Sequence, residues 1–316
     1  MNHTPLRITY LRRGRRSLTH SVILRVAAAA IAISASGAAA TLFEDSFTVT
    51  GNHLDYSKWT TEIGQGSFLG RTQLADWVTP GGVGVFAVTP TGAQLTLSTY
   101  NPTGVSLFGT HAKTLQTFQP TPNTAIQFTT RLQLTSLQPG IVYGMYLYGC
   151  QPGQCANKHD EVDIELLTNL LQPGSPLQVN FNSYADEPLG AGHPAIVLLP
   201  AGFDPLAVHD WTIWWTLNTL RFSVDGVQIY ETISTVPKGP MTVNEIAWGP
   251  ASDWPTAYSS SLQAVADAMR NQSYTARLQR VTVTEEPRLP EPGTWATVLF
   301  GCGLLGAVRR WRAVRR

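Results

Sequence analysis

The sequence predicts an all-β fold, a sandwich or barrel, and three observations carry that expectation. Between its ends the 316-residue chain is built of short runs of alternating residues separated by Gly, Pro, Asn and Asp. Helical periodicity is almost missing from the same stretch. One pair of runs is joined by Asp225-Gly226, and a type I′ hairpin turn needs positive φ at both central residues, which Asp-Gly supplies.

Taken in order, strands are expected at 95–100, 125–134, 141–148, 161–167, 177–184, 211–217, 220–224, 227–232, 242–248 and 277–284. Residues 259–269 are the one short stretch that reads as a helix. In the run after His209, Trp211, Ile213, Trp215 and Leu217 share one face, expected to be core. Trp214 lies on the other face, where a sugar-stacking role is not favoured. His209 reads as a structural, hydrogen-bonding histidine. No internal repeat or Pro/Ser linker divides residues 41–288, so that stretch is expected to be one domain.

Charge is distributed unevenly. Residues 41–288 hold eleven basic and twenty acidic residues, a formal net charge of −9, while the other eleven basic residues lie in the two ends. An acidic body argues against nucleic acid as a partner, because phosphate binding needs a basic face on the folded domain. Residues 1–40 place six Arg before an apolar run and end on Ala38-Ala39-Ala40, the pattern of a secretory signal peptide. Residues 289–316 run from Pro290-Glu291-Pro292 through an apolar stretch, 295–308, to five Arg. Fourteen residues as a helix span about 21 Å, short of a ~30 Å hydrocarbon core. This order resembles the PEP-CTERM sorting signal of Gram-negative bacteria that make extracellular polysaccharide. The resemblance implies an exosortase-like sorting machinery, transient membrane association and delivery to the cell surface or outside; a single-span anchor is the competing reading. Given export, Cys150 and Cys155, flanking Gln151-Pro152-Gly153-Gln154, are expected to form a small loop disulfide. No second cysteine pair or spaced histidine pair accompanies them, so no metal site is expected.

The stretch KHDEVDIELL, 158–167, carries the chemistry. His159, Glu161, Asp163 and Glu165 share one face of a strand, and Val162, Ile164 and Leu166 share the other. A solvent-facing surface would more naturally mix signs, because carboxylates two residues apart repel across about 7 Å. The chemistry that fits is retaining glycoside hydrolysis, in which one carboxylate attacks the anomeric carbon and a second carboxyl protonates the leaving oxygen. The Cα atoms of Glu161 and Glu165 stand about 13 Å apart along an extended strand. The reading therefore requires a concave sheet with this strand near its middle. Clustered carboxylates also raise at least one pKa, which suits a general acid near neutral pH.

These residues resemble glycoside hydrolase family 16, and DEVDIELL is similar to the uninterrupted E-[IV]-D-[IV]-E signature of its lichenase branch. LFEDSF with LDYSKW resembles the family's opening strand, and HDWTIWWTLNTLRFSVDGVQIY resembles its later hairpin. The resemblance implies a two-sheet antiparallel β-sandwich, a concanavalin A-like jelly roll with a concave active-site sheet. It implies Glu161 as nucleophile, Asp163 as assisting residue and Glu165 as acid/base. It places Tyr146, Tyr148, Asn180, Asn182, Tyr184 and Trp248 toward the sugar, together with His159, which stands where that branch has Trp and is expected to touch substrate; Ile246 stands where it has Asn. A basic cleft residue corresponds loosely to Lys113.

The expected protein is an exported endo-acting hydrolase of β-glucan or a related polysaccharide. No redox or nucleotide cofactor is implied; structural Ca²⁺ stays open for such folds, although the sequence carries no loop signature for it. The same carboxylates would serve a transglycosylase remodelling the cell's own exopolysaccharide, and a non-catalytic carbohydrate-binding jelly roll is the rival outside enzymes.

Overall fold

The computed structural model describes residues 38–48, 54–64, 69–75, 87–155 and 157–288. The expected leader, apart from its last three residues, and the expected tail lie outside the described residues. Among the described residues no helix is long and apolar enough to cross a membrane.

Sixteen strands are present among these residues. They are β1 (Ala40–Asp45), β2 (Trp59–Thr61), β3 (Thr72–Leu74), β4 (Val88–Thr89), β5 (Gly92–Ser98) and β6 (Leu107–Phe118). Next come β7 (Thr124–Leu134), β8 (Val142–Cys150), β9 (His159–Leu167), β10 (Gln178–Glu187) and β11 (Ala195–Leu198). The last five are β12 (Val208–Trp215), β13 (Leu220–Val224), β14 (Val227–Thr232), β15 (Met241–Trp248) and β16 (Ser273–Pro287).

Hydrogen bonding links them in the order β11-β10-β9-β8-β15-β6-β5-β16-β7-β12-β13-β14. Every pairing is antiparallel except that of β3 with β6. The path folds over at β6. Leu107, Phe108 and Gly109 pair with β3, and Phe108 meets Ser98 of β5, whereas the strand from Thr110 onward pairs with β15 and, on its other side, β2. One strand thus serves both layers, as corner strands do in sandwiches. The first layer, β11-β10-β9-β8-β15-β6-β2, is the cleft sheet, and the second, β5-β16-β7-β12-β13-β14 with β1 on β16, is the back sheet.

Between the layers the alternation of the sequence becomes a core. β12 buries His209, Trp211, Ile213 and Trp215 and leaves the residues between them partly exposed. β9 contributes Val162, Ile164 and Leu166 from the facing layer. Phe181 of β10 stacks on Phe222 of β13 at 4.5 Å and Tyr230 of β14 at 5.7 Å, which joins the two sheets directly. Trp215 is fully buried, and its indole N–H donates to the Pro237 carbonyl at 2.9 Å. Asp225 and Gly226 take φ of 50° and 77°, as the expected hairpin turn requires.

The structure corrects the expected helix at 259–269. That segment is a chain of turns with a short 3₁₀ turn at Ala268–Arg270. Its backbone groups are taken by tertiary partners: the Arg71 guanidinium binds the carbonyls of Ser259 and Leu262, and Val265 exchanges hydrogen bonds with Thr99 and Asn101. β1 falls on the expected opening strand, LFEDSF; strands β2, β3, β4, β6 and β11 were not among the expected runs, and β12 ends at Trp215, which leaves Leu217 in the following turn.

Candidate active site

The cleft floor follows from register. β9 is the third strand of seven in its layer, near the middle as the chemistry requires. Because Val162, Ile164 and Leu166 are fixed in the core, Glu161, Asp163 and Glu165 face away from it. Each acid then has a neighbour on both flanking strands. Glu161 lies between Tyr148 and Tyr184, Asp163 between Tyr146 and Asn182, and Glu165 between Gly144 and Asn180. β15 continues the rows with Thr242, Asn244 and Ile246, and β6 with Lys113 opposite Asn244 and His111 opposite Ile246. Gly144 makes room beside Glu165 for the Ile246 side chain, which a Cβ there would meet at 2.8 Å.

The three acids are in different surroundings. Burial pushes the Asp163 carboxyl well above its ordinary value, reinforced by the charges of Glu161 and Glu165 and by a hydrogen bond shared with Glu161. Burial also raises Glu165, to about 7; the Asn180 amide, donating to Glu165 Oε2 at 2.7 Å, works against that rise and the charge of Glu161 adds to it. Glu161 is the more open partner, with 18% of its side chain exposed, and its Oε2 lies 3.0 Å from His159 Nε2.

A second polar group occupies the β6 side of the floor, and the sequence signalled it only through Lys113. Lys113 Nζ binds Glu62 Oε1 at 2.7 Å, and Glu62 Oε2 lies 3.7 Å from His111 Nδ1. His111 Nε2 is 3.0 Å from the Tyr146 hydroxyl and 3.2 Å from Asn244 Oδ1. The Asn244 amide nitrogen donates to the Thr242 carbonyl at 3.0 Å, which turns Oδ1 toward the ring and places the hydrogen on Nε2. Burial holds His111 neutral, with its pKa lowered to about 4. Burial likewise drives the Tyr146 hydroxyl well above its usual range, keeping it a neutral donor beside Glu161 and Asp163.

The remaining expected site residues are also placed. Asn180, Asn182 and Tyr184 share the cleft face of β10. Trp248 lies on the cleft face of β15 but is only 8% exposed, because Trp254 covers it at a ring distance of 5.7 Å. Trp254, which alternation could not reveal because it sits in a turn, is the more accessible ring. Cys150 and Cys155 are joined as a disulfide, with Cα atoms 5.0 Å apart, just ahead of β9. His209 is held by Asp225 Oδ2 and the Asp204 carbonyl, both at 2.7 Å. Trp214 is away from the cleft, on the back sheet, under the Arg221 guanidinium. Among the described residues no group of three or more His, Cys, Asp or Glu is arranged to hold a metal ion.

A concave sheet that sets one carboxyl near neutrality, four residues along a strand from a second, has the equipment of glycosidic bond cleavage. The sequence profile of the glycosyl hydrolases family 16 matches residues 88–267, more than half of the chain, and the chain belongs to that family. Among the solved structures that share its fold are three glucanase-like proteins. The Bacillus licheniformis β-glucanase is 20% identical with a TM-score of 0.55, covering 77% of this chain and 97% of that one. The endo-1,3-β-glucanase from Streptomyces sioyaensis is 13% identical with a TM-score of 0.60, covering 79% and 97%. An immunostimulatory antigen and pseudo β-1,3-glucanase of Mycobacterium tuberculosis is 17% identical with a TM-score of 0.55, covering 77% and 98%. No curated protein sequence matches the chain.

Proposed function

We propose that the protein is an exported endo-β-glucanase that works by a retaining double displacement. The observation that carries the reading is the pairing of Glu161 with a Glu165 whose carboxyl is raised to about 7 on one open floor. In the first step a Glu161 oxygen attacks the anomeric carbon while Glu165 gives its proton to the departing glycosidic oxygen. In the second, Glu165 takes a proton from water, the water oxygen bonds to the anomeric carbon, and Glu161 leaves as carboxylate. Asp163, hydrogen-bonded to Glu161, holds the nucleophile in place and keeps its own proton. Endo action is supported by the floor, which crosses seven strands. At ~4.8 Å per strand the floor runs on the order of 29 Å, several sugar rings long. The names of the solved relatives support β-glucan as substrate, and the leader and tail of the sequence support export.

Glu161→Gln tests the reading. Reducing-end release from a panel of β-glucans is expected to fall by roughly three orders of magnitude or more, with oligosaccharide affinity retained. No release from the wild type, with binding unchanged in the variant, would instead fit a carbohydrate-binding jelly roll, and undiminished release in the variant would place the nucleophile elsewhere. Product NMR is expected to show the β-anomer first, and the α-anomer would remove the nucleophile role from Glu161.

A further inference from the structure

His159 opens β9, and its ring is held on both faces. Tyr148 of β8 stacks on it at 5.4 Å and Tyr184 of β10 lies across it at 4.4 Å. The start of the strand is itself fixed, because Asp160 accepts hydrogen bonds from the amides of Asp186 at 2.8 Å and Gly239 at 2.7 Å. Only 1% of the His159 side chain is exposed, so a sugar lying in the cleft has no ring face to stack on.

Its Nε2 is 3.0 Å from Glu161 Oε2, a close contact that lacks the in-line geometry of a hydrogen bond. Among the described residues neither ring nitrogen has any other polar partner. Glu187, opposite His159 in register, is engaged elsewhere, by His193 Nε2 at 3.0 Å and by the Ala185 amide. Two lone pairs 3.0 Å apart repel, so the hydrogen belongs on Nε2, facing the nucleophile.

We propose that His159 is a positioning residue for the nucleophile. A small turn of the Glu161 carboxylate brings Oε2 into line with this N–H and presents Oε1 to the anomeric carbon. When the bond between sugar and Glu161 breaks, the electron pair returns to the carboxylate, and the same N–H stabilises the charge that re-forms. The inference rests on the retaining-hydrolase reading, and its effect belongs mainly to the second step.

The test is burst kinetics on an activated aryl β-glycoside of a glucan disaccharide, with mass detection of sugar bound to Glu161. In His159→Phe, release of the glycosyl enzyme is expected to slow about 10- to 100-fold, the loss of one hydrogen bond to a charged group. A burst then appears, and kcat and KM fall together. His159→Gln keeps a donor and is expected to recover part of the rate. Turnover in the wild type with no burst in His159→Phe, or a raised KM at unchanged kcat in both variants, overturns the positioning role and returns His159 to sugar contact. A wild type that neither turns over nor is labelled at Glu161 overturns the hydrolase reading itself, and the role of His159 with it.

Discussion

Glu165 is the residue at which the fold and the chemistry meet most directly. In the proposed mechanism its carboxyl must be protonated to donate and deprotonated to accept, and burial places it at about 7, between the two needs. The kcat/KM of the wild type is therefore expected to fall on the alkaline side through an apparent pKa near that value, where the acid form is lost. Asn180 opposes the rise by donating to Oε2 at 2.7 Å. Asn180→Ala removes that hydrogen bond and is expected to move the alkaline limb to higher pH, read from a pH profile of initial rates. An unmoved limb would mean that another group sets it.

At the scale of the element, β6 is the strand that the fold most depends on and the one that alternation concealed. Gly109 sits where it turns from one layer to the other, and a Cβ there would meet the Ala247 carbonyl oxygen and the Thr72 methyl. Gly109→Ala is expected to cost about 1–3 kcal/mol in urea unfolding, the range for forcing an added methyl into packed structure. β6 escaped sequence reading because an exposed Leu115 follows His111 and Lys113 at the same two-residue spacing, so apolar and polar positions do not alternate cleanly. β9 and β13 were legible because one face of each is committed to the core, and β14 because the turn that joins it to β13 has only one good geometry. The site divides in the same way. The acids and the β10 asparagines could be placed by counting along a strand, whereas Glu62, Asn244 and Trp254 join the floor only through pairing of distant segments. The false helix at 259–269 has the same origin, since no local signal reports that Arg71 claims its carbonyls.

For the whole molecule, the layer between the sheets contains one residue that works against stability. Glu245 is fully buried, receives one hydrogen bond from Thr130 at 2.5 Å, and has its carboxyl raised well above the ordinary value by burial. A carboxyl raised in this way favours the folded state while protonated in both states, and that contribution is lost as pH climbs above the unfolded value. Glu245→Gln is expected to raise Tm at pH 8, by roughly 1–3 kcal/mol of stability, and to leave Tm unchanged near pH 4. Equal effects at both pH values would show that packing, not charge, sets the cost.

The order of strands across the cleft has one more consequence. Successive positions along a bound chain rest on β11, β10, β9, β8, β15, β6 and β2, which come from widely separated parts of the sequence. A substitution at one station leaves the backbone of the next untouched. Preference for a different linkage or a decorated sugar can therefore be acquired one strand at a time, while the acids on β9 keep the chemistry fixed.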